Sequence, residues 1–102
     1  MSTQYLQQQT RKILSKENID ESDFRKAINL IFLDEIPNST IASFLTAITY
    51  RGVSHDELRI IREIMIENSH LITPNVTGSL IDNCGTGGDM ANSFNISTAA
   101  SI

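Results

Sequence analysis

The sequence predicts a mainly α chain: an N-terminal helical bundle domain, then the first strand, glycine-rich loop and helix start of an α/β domain. Three observations carry this expectation. Apolar residues recur with helical period in four segments before Ser69. A turn-rich stretch, HLITPNVTGS, follows them. Three of the five glycines, Gly85, Gly87 and Gly88, then fall within four positions. The expected division is a helical domain over 1–70, a linker over 71–79 and the α/β start over 80–102.

The elements follow in order. Leu6, Ile13 and Leu14 give a weak stripe over 3–16, diluted by Gln7 and Thr10. Asp20 is placed to cap a second helix, whose Phe24, Ala27, Ile28, Ile31 and Phe32 share one face. Pro37 and Asn38 punctuate before Ile41, Phe44, Leu45 and Ile48 repeat the stripe. Gly52 stands where a left-handed residue closes that helix. Ser54 and Glu57 then read as a capping box, with Val53 and Leu58 as a hydrophobic staple. Leu58, Ile61, Ile64 and Met65 carry the fourth apolar face. Short connections predict antiparallel neighbours packed side by side. Past the linker, Leu80 and Ile81 read as a short buried strand entering the glycines. Phe94, Ile96, Ala99, Ala100 and Ile102 suit a helix start.

Composition bounds the function. An apolar fraction of 40% with 20% charged residues suits a globular chain rather than a disordered one. No run approaches the roughly 18 apolar residues of a membrane span. The opening MSTQYLQQQTRK lacks the apolar core of a secretory signal. A lone cysteine, Cys84, excludes an internal disulfide framework and points to a cytoplasmic location. The net charge of -4 argues against nucleic-acid binding. All eight Lys and Arg lie between Arg11 and Arg62, so Glu63 to Ile102 contains four acids and no cation.

A strand, a glycine-rich turn and a helix start form a recurrent phosphate-binding device. Glycines let backbone approach an anion, and helix N-terminal amides favour negative charge. Ser93, Asn95, Ser97 and Thr98 add short uncharged donors, and hydroxyl oxygens can also ligate Mg²⁺. GTGGD is neither GxGxxG nor GxxxxGK[ST], so neither a dinucleotide fold nor a P-loop follows. A tight turn that needs glycine for its own geometry is the competing reading.

The run Asp82-Asn83-Cys84-Gly85-Thr86-Gly87-Gly88-Asp89, with Ser93-Phe94-Asn95-Ile96-Ser97-Thr98-Ala99-Ala100, resembles the signature of anthranilate phosphoribosyltransferases. Ile41 to Ala47, closing at Arg51-Gly52, resembles the same family's N-terminal domain. The resemblance implies a nucleoside-phosphorylase-like α/β domain after the helices. It also implies transfer of the phosphoribosyl group of phosphoribosyl pyrophosphate to anthranilate, in tryptophan biosynthesis, with release of pyrophosphate. It places substrate binding on Gly85, Thr86, Gly87, Gly88, Asp89, Ser93, Asn95, Ile96, Ser97 and Thr98. Gly85 would contact the donor near anthranilate, and Gly88 and Asp89 would line the pyrophosphate and ribose region. Ser93, Asn95, Ser97 and Thr98 would hold phosphates, with Ser97 also a Mg²⁺ ligand. No residue is implied as a catalytic nucleophile, and a homodimer through the helical domain is expected. Met90 and Ser93 depart from the family's usual glycine and threonine. The family's later lysine-containing donor loop, anthranilate-binding arginine and acidic metal pair have no counterpart. The resemblance covers about the first third of a usual member, and the 102-residue chain alone is expected to lack turnover.

The remaining candidates read blandly. Cys84 is expected as a small buried hydrophobe, not a nucleophile. His55 and His70 are expected in solvent and form no zinc site. Asp89 reads equally as a cap or as a ligand contact. A helical association module without catalysis and a pyrimidine-nucleoside phosphorylase relative are the alternatives. The latter fits less well, because Asp89 follows the glycines directly.

Overall fold

The structure, a computed structural model, describes residues 1–85 and 96–102. The chain divides into two units, Met1–Ile72 and Thr73–Ile102. The first contains α1 (Ser2–Leu14), α2 (Glu21–Ile31), α3 (Asn38–Arg51) and α4 (His55–Glu67); the second contains α5 (Ile96–Ser101).

In the first unit α1 packs on α3 and α2, and α2 packs on α4. Each helix contributes to one core. Leu6 and Ile13 come from α1, Phe24, Ala27 and Ile28 from α2, Phe44, Ala47 and Ile48 from α3, and Ile60 and Ile64 from α4. Truncating a fully buried Phe24 or Phe44 to alanine is expected to cost about 3–5 kcal/mol. The expected stripes are right in kind and shifted in detail. Thr10, read as a dilution, lies on the buried face of α1 and donates its hydroxyl to Leu6 O at 2.9 Å. Leu14, Phe32, Leu45, Leu58 and Met65 instead remain open to solvent. On α4 the buried pair is Ile60 and Ile64, because Arg59 and Glu63 reach α2 along the edge of that face. The staple does not bury: Val53 and Leu58 are both well exposed.

Helix ends obey local chemistry. Asp20 accepts from Asp23 N at 2.8 Å, and this amide, then the Ser22 hydroxyl, holds its carboxyl below the usual range. At α4 the Glu57 amide donates to Ser54 Oγ at 3.1 Å while Ser54 N donates to Glu57 Oε1 at 3.0 Å. Arg51 grips the same carboxylate through both oxygens at 2.6 and 2.5 Å, and also bonds Gly52 O at 3.1 Å. Burial pushes the Glu57 carboxyl up, but the Arg51 and Ser54 hydrogen bonds outweigh it and leave it below its ordinary value. Gly52, at φ 92° and ψ 156°, makes this turn possible in a region open essentially to glycine alone.

The end of α1 uses a Schellman arrangement that the sequence hides. Lys16 N donates to Ile13 O at 3.1 Å and Glu17 N to Lys12 O at 2.9 Å. Lys16 takes the left-handed position at φ 60°, where glycine is usual.

Besides the Arg51–Glu57 pair between α3 and α4, two polar links join the helices among the described residues. Tyr5 donates to Asp23 Oδ1 at 2.6 Å, with Lys26 Nζ 4.2 Å from the centre of its ring. Glu21 and Arg25 of α2 face Arg59 and Glu63 of α4, with Arg25–Glu63 and Arg59–Glu21 at 2.7 Å and Arg59–Glu63 at 3.0 Å. The hydrogen bond from Arg25, then that from Arg59, keeps the Glu63 carboxyl below its usual range.

In the second unit the expected strand is absent. Leu80 and Ile81 form no bridge to another strand among the described residues, and both are exposed. A strand exists through hydrogen bonds to a neighbour, and the apolar run alone cannot supply one. No helix among the described residues is long and apolar enough to cross a membrane.

The two left-handed positions predict opposite responses. Gly52→Ala should lower stability by about 1–3 kcal/mol, and Lys16→Gly should raise it by about 1 kcal/mol, both by urea unfolding. Burial, then the Asp23 carboxylate, pushes the Tyr5 hydroxyl up to about 12. Its folded pKa therefore exceeds the unfolded value near 10, so its contribution is complete below pH ~10 and fades between ~10 and 12. Stability should drop across that window, and Tyr5→Phe should flatten the Tyr5 share of the drop.

Candidate functional site

The glycine segment enters from Asp82 and leaves into α5. Cys84 N donates to Asp82 Oδ1 at 2.8 Å, so this carboxylate is engaged by its own loop. Gly85 follows, exposed, with no positive φ. A Cβ built there would lie 3.9 Å from Ser97 Oγ, an ordinary contact. Neither strain nor crowding among the described residues therefore requires a glycine at this position.

On the other side of the segment, Ile96 opens α5 half-exposed and Ser97 is half-buried in its first turn. Thr98 lies within the same helix. Two hydrogen bonds tie the segment's ends together. Asn83 Nδ2 donates to Ser101 Oγ at 2.7 Å, and Ser101 Oγ donates to Ser97 O at 2.8 Å. Gly85 and Ser97 thus lie near one another across the segment. Thr86, Gly87, Gly88, Asp89, Ser93 and Asn95 lie outside the described residues.

Asn83 and Ser101 were not among the expected site residues. They stand eighteen positions apart, and no spacing rule links an asparagine before the loop to a serine in the following helix. Cys84 corrects another expectation: it is exposed rather than buried, since no strand neighbour covers it. His55 and His70 are exposed, as expected.

Residues 73–102 carry two acids, Asp82 and Asp89, and no Lys or Arg. The donors available to an anion there are amides and hydroxyls. Among the described residues no three His, Cys, Asp or Glu side chains gather to hold a metal. Ser97 Oγ, a single neutral hard oxygen, fits Mg²⁺ only as one ligand beside water and substrate phosphate, the usual arrangement for that cation.

Comparison with known proteins bears on both units. The model of the glycosyl transferase family, helical bundle domain, matches residues 7–69. The anthranilate phosphoribosyltransferase of Methanocorpusculum labreanum is 37% identical over 92 residues, 90% of this chain and 27% of that protein. The enzyme of the same name from Priestia megaterium is 39% identical over 92 residues, again 90% of this chain and 27% of its own length. That from Streptococcus mutans is 37% identical over 91 residues, 89% of this chain and 27% of its own. Alignments of this length leave out about ten residues, so they reach well into the 30-residue second unit. The aligned part of the chain spans just over a quarter of the length of these curated relatives. No solved structure matches it.

Proposed function

The chain belongs to the glycosyl transferase family, whose helical bundle domain matches most of its first unit, and from that premise we propose that it serves an anthranilate phosphoribosyltransferase. It supplies the helical bundle and the phosphate-facing glycine segment of that enzyme. The observation that carries this is the approach of the Ser97 hydroxyl to Gly85, where an added Cβ would make only an ordinary contact among the described residues. The names of the relatives point to the same chemistry.

In this reading residues 71–79 link the bundle to the α/β domain beginning at residue 80, and Leu80–Asp82 become a strand once a neighbour pairs with them. Gly85, Thr86, Gly87, Gly88 and Asp89 line the pyrophosphate and ribose of the donor. Ser93, Asn95, Ile96, Ser97 and Thr98 hold its phosphates, with Ser97 Oγ as one ligand of Mg²⁺. Bound there, the cation supplies charge neutralisation for the pyrophosphate. The anthranilate nitrogen forms a bond to C1 of the ribose as the C1–oxygen bond to pyrophosphate breaks, and the amine's proton leaves to solvent. No side chain of this chain forms a covalent intermediate. Its part is to position the donor and present dipoles to the leaving group.

A second reading, association through the helical unit, draws on one observation. Leu14 at 64%, Leu45 at 46% and Tyr50 at 90% exposure leave apolar surface on α1 and α3 that a partner subunit would cover. A homodimer in the cytoplasm accommodates both readings.

Two assays test the proposal. The 102-residue chain with anthranilate, phosphoribosyl pyrophosphate and Mg²⁺ should show no loss of anthranilate fluorescence, because residues 63–102 supply no cation for the pyrophosphate. Grafted in place of the aligned segment of the Methanocorpusculum labreanum relative, it should restore anthranilate phosphoribosyl transfer and show no thymidine phosphorolysis. Ser97→Ala in that graft should lower kcat/KM by about 10²-fold, the scale of losing one preorganised donor. A folded graft that is inactive with anthranilate, or active with thymidine, overturns the proposal.

A further inference from the structure

The glycine segment is a loop whose two ends must be held in register for Gly85 and Ser97 to address one ligand. Backbone geometry alone does not do this, since α5 is a helix of six residues and such a helix is marginal by itself. Nor do apolar contacts, because Leu80, Ile81, Ile96 and Ile102 are all exposed. Among the described residues, what joins the ends is the two-bond relay of Asn83 Nδ2–H to Ser101 Oγ at 2.7 Å and Ser101 Oγ–H to Ser97 O at 2.8 Å. Ser101 is used as both acceptor and donor, so its hydroxyl is committed in both directions. The relay ends on the carbonyl of the residue whose own hydroxyl faces Gly85.

We infer that Asn83 and Ser101 are positioning residues: their relay sets the Ser97 hydroxyl against Gly85 and thereby tunes affinity for a pyrophosphate group. The inference rests on reading the segment as a phosphate site, and it adds two residues that touch no ligand. They act on one another and on Ser97 O. Their effects are therefore coupled, and removing the second after the first costs little more.

The test uses the graft of this chain into the Methanocorpusculum labreanum relative, with inorganic pyrophosphate and Mg²⁺ as the probe and amide shifts of Gly85 and Ser97 as the readout. Asn83→Ala and Ser101→Ala should each weaken binding roughly three- to tenfold, the worth of one hydrogen bond. The double variant should bind like either single one. Ser101→Thr, which keeps the hydroxyl, should restore affinity, and Ser101→Ala should shift the Asn83 side-chain amide resonance. Helical-unit melting should be unchanged in all variants, since both residues lie in the second unit. Unaltered affinity in both alanine variants, or an Asn83 amide indifferent to Ser101, overturns the relay and leaves the phosphate reading standing. A folded, otherwise unsubstituted graft that binds no pyrophosphate overturns the phosphate reading, and the relay's role with it.

Discussion

Four helices of 11 to 14 residues each bury one stripe in a shared core, and everything else in the first unit depends on that mutual burial. Helices this short are marginal in water on their own, so tertiary packing rather than propensity sustains them. The core is mostly hydrocarbon, with the polar residues Gln9, Thr10 and Thr40 also buried. Gln9 is buried to 1% exposure and its Oε1 has no hydrogen-bond partner among the described residues, a loss of about 1–3 kcal/mol that the surrounding aliphatic contacts must offset. Charges stay at the rim, where the Glu21–Arg25–Arg59–Glu63 group fixes how α2 and α4 meet.

What could be read from the sequence follows the range of the interactions concerned. Asp20, Gly52 and the Ser54–Glu57 box are decided within three or four residues, and all are found where the pattern put them. Choosing between two adjacent apolar faces is a tertiary matter. On α4 the expected face of Leu58, Ile61, Ile64 and Met65 includes the buried Ile64 and the partly buried Ile61 but misses Ile60, which is buried where α4 meets α2. Ile36 is buried to 7% although it lies in the α2–α3 connection, where no periodicity exists to mark it. Lys16 carries no signal of its left-handed backbone, because the Schellman hydrogen bonds impose it on whichever residue stands there.

The glycine segment divides in the same way. Its run of glycines and short hydroxyl residues is plain in the sequence, and the chain's similarity to anthranilate phosphoribosyltransferases extends into this unit. Its closing relay was not legible, since a hydrogen bond across eighteen positions depends on where α5 begins. The charge pattern acquires a physical meaning beside this geometry. The eight cations all lie within the first unit, three of them bound in ion pairs that organise its helices. The second unit offers neutral donors alone, which can shape a phosphate site but cannot neutralise one.

The account's central claim is that the helical bundle is a self-sufficient body and that the glycine segment is a separately stabilised one, closed by polar contacts. Native-state amide hydrogen exchange over the whole chain tests this most directly. Amides of Ile28, Ile48 and Ile64 should exchange only through global unfolding. Those of residues 99–101 in α5 should exchange through a local opening of much lower free energy, insensitive to substitutions in the helical core. Contradiction would come from α5 amides that share the exchange free energy of the core and fall with it when Phe44 is truncated.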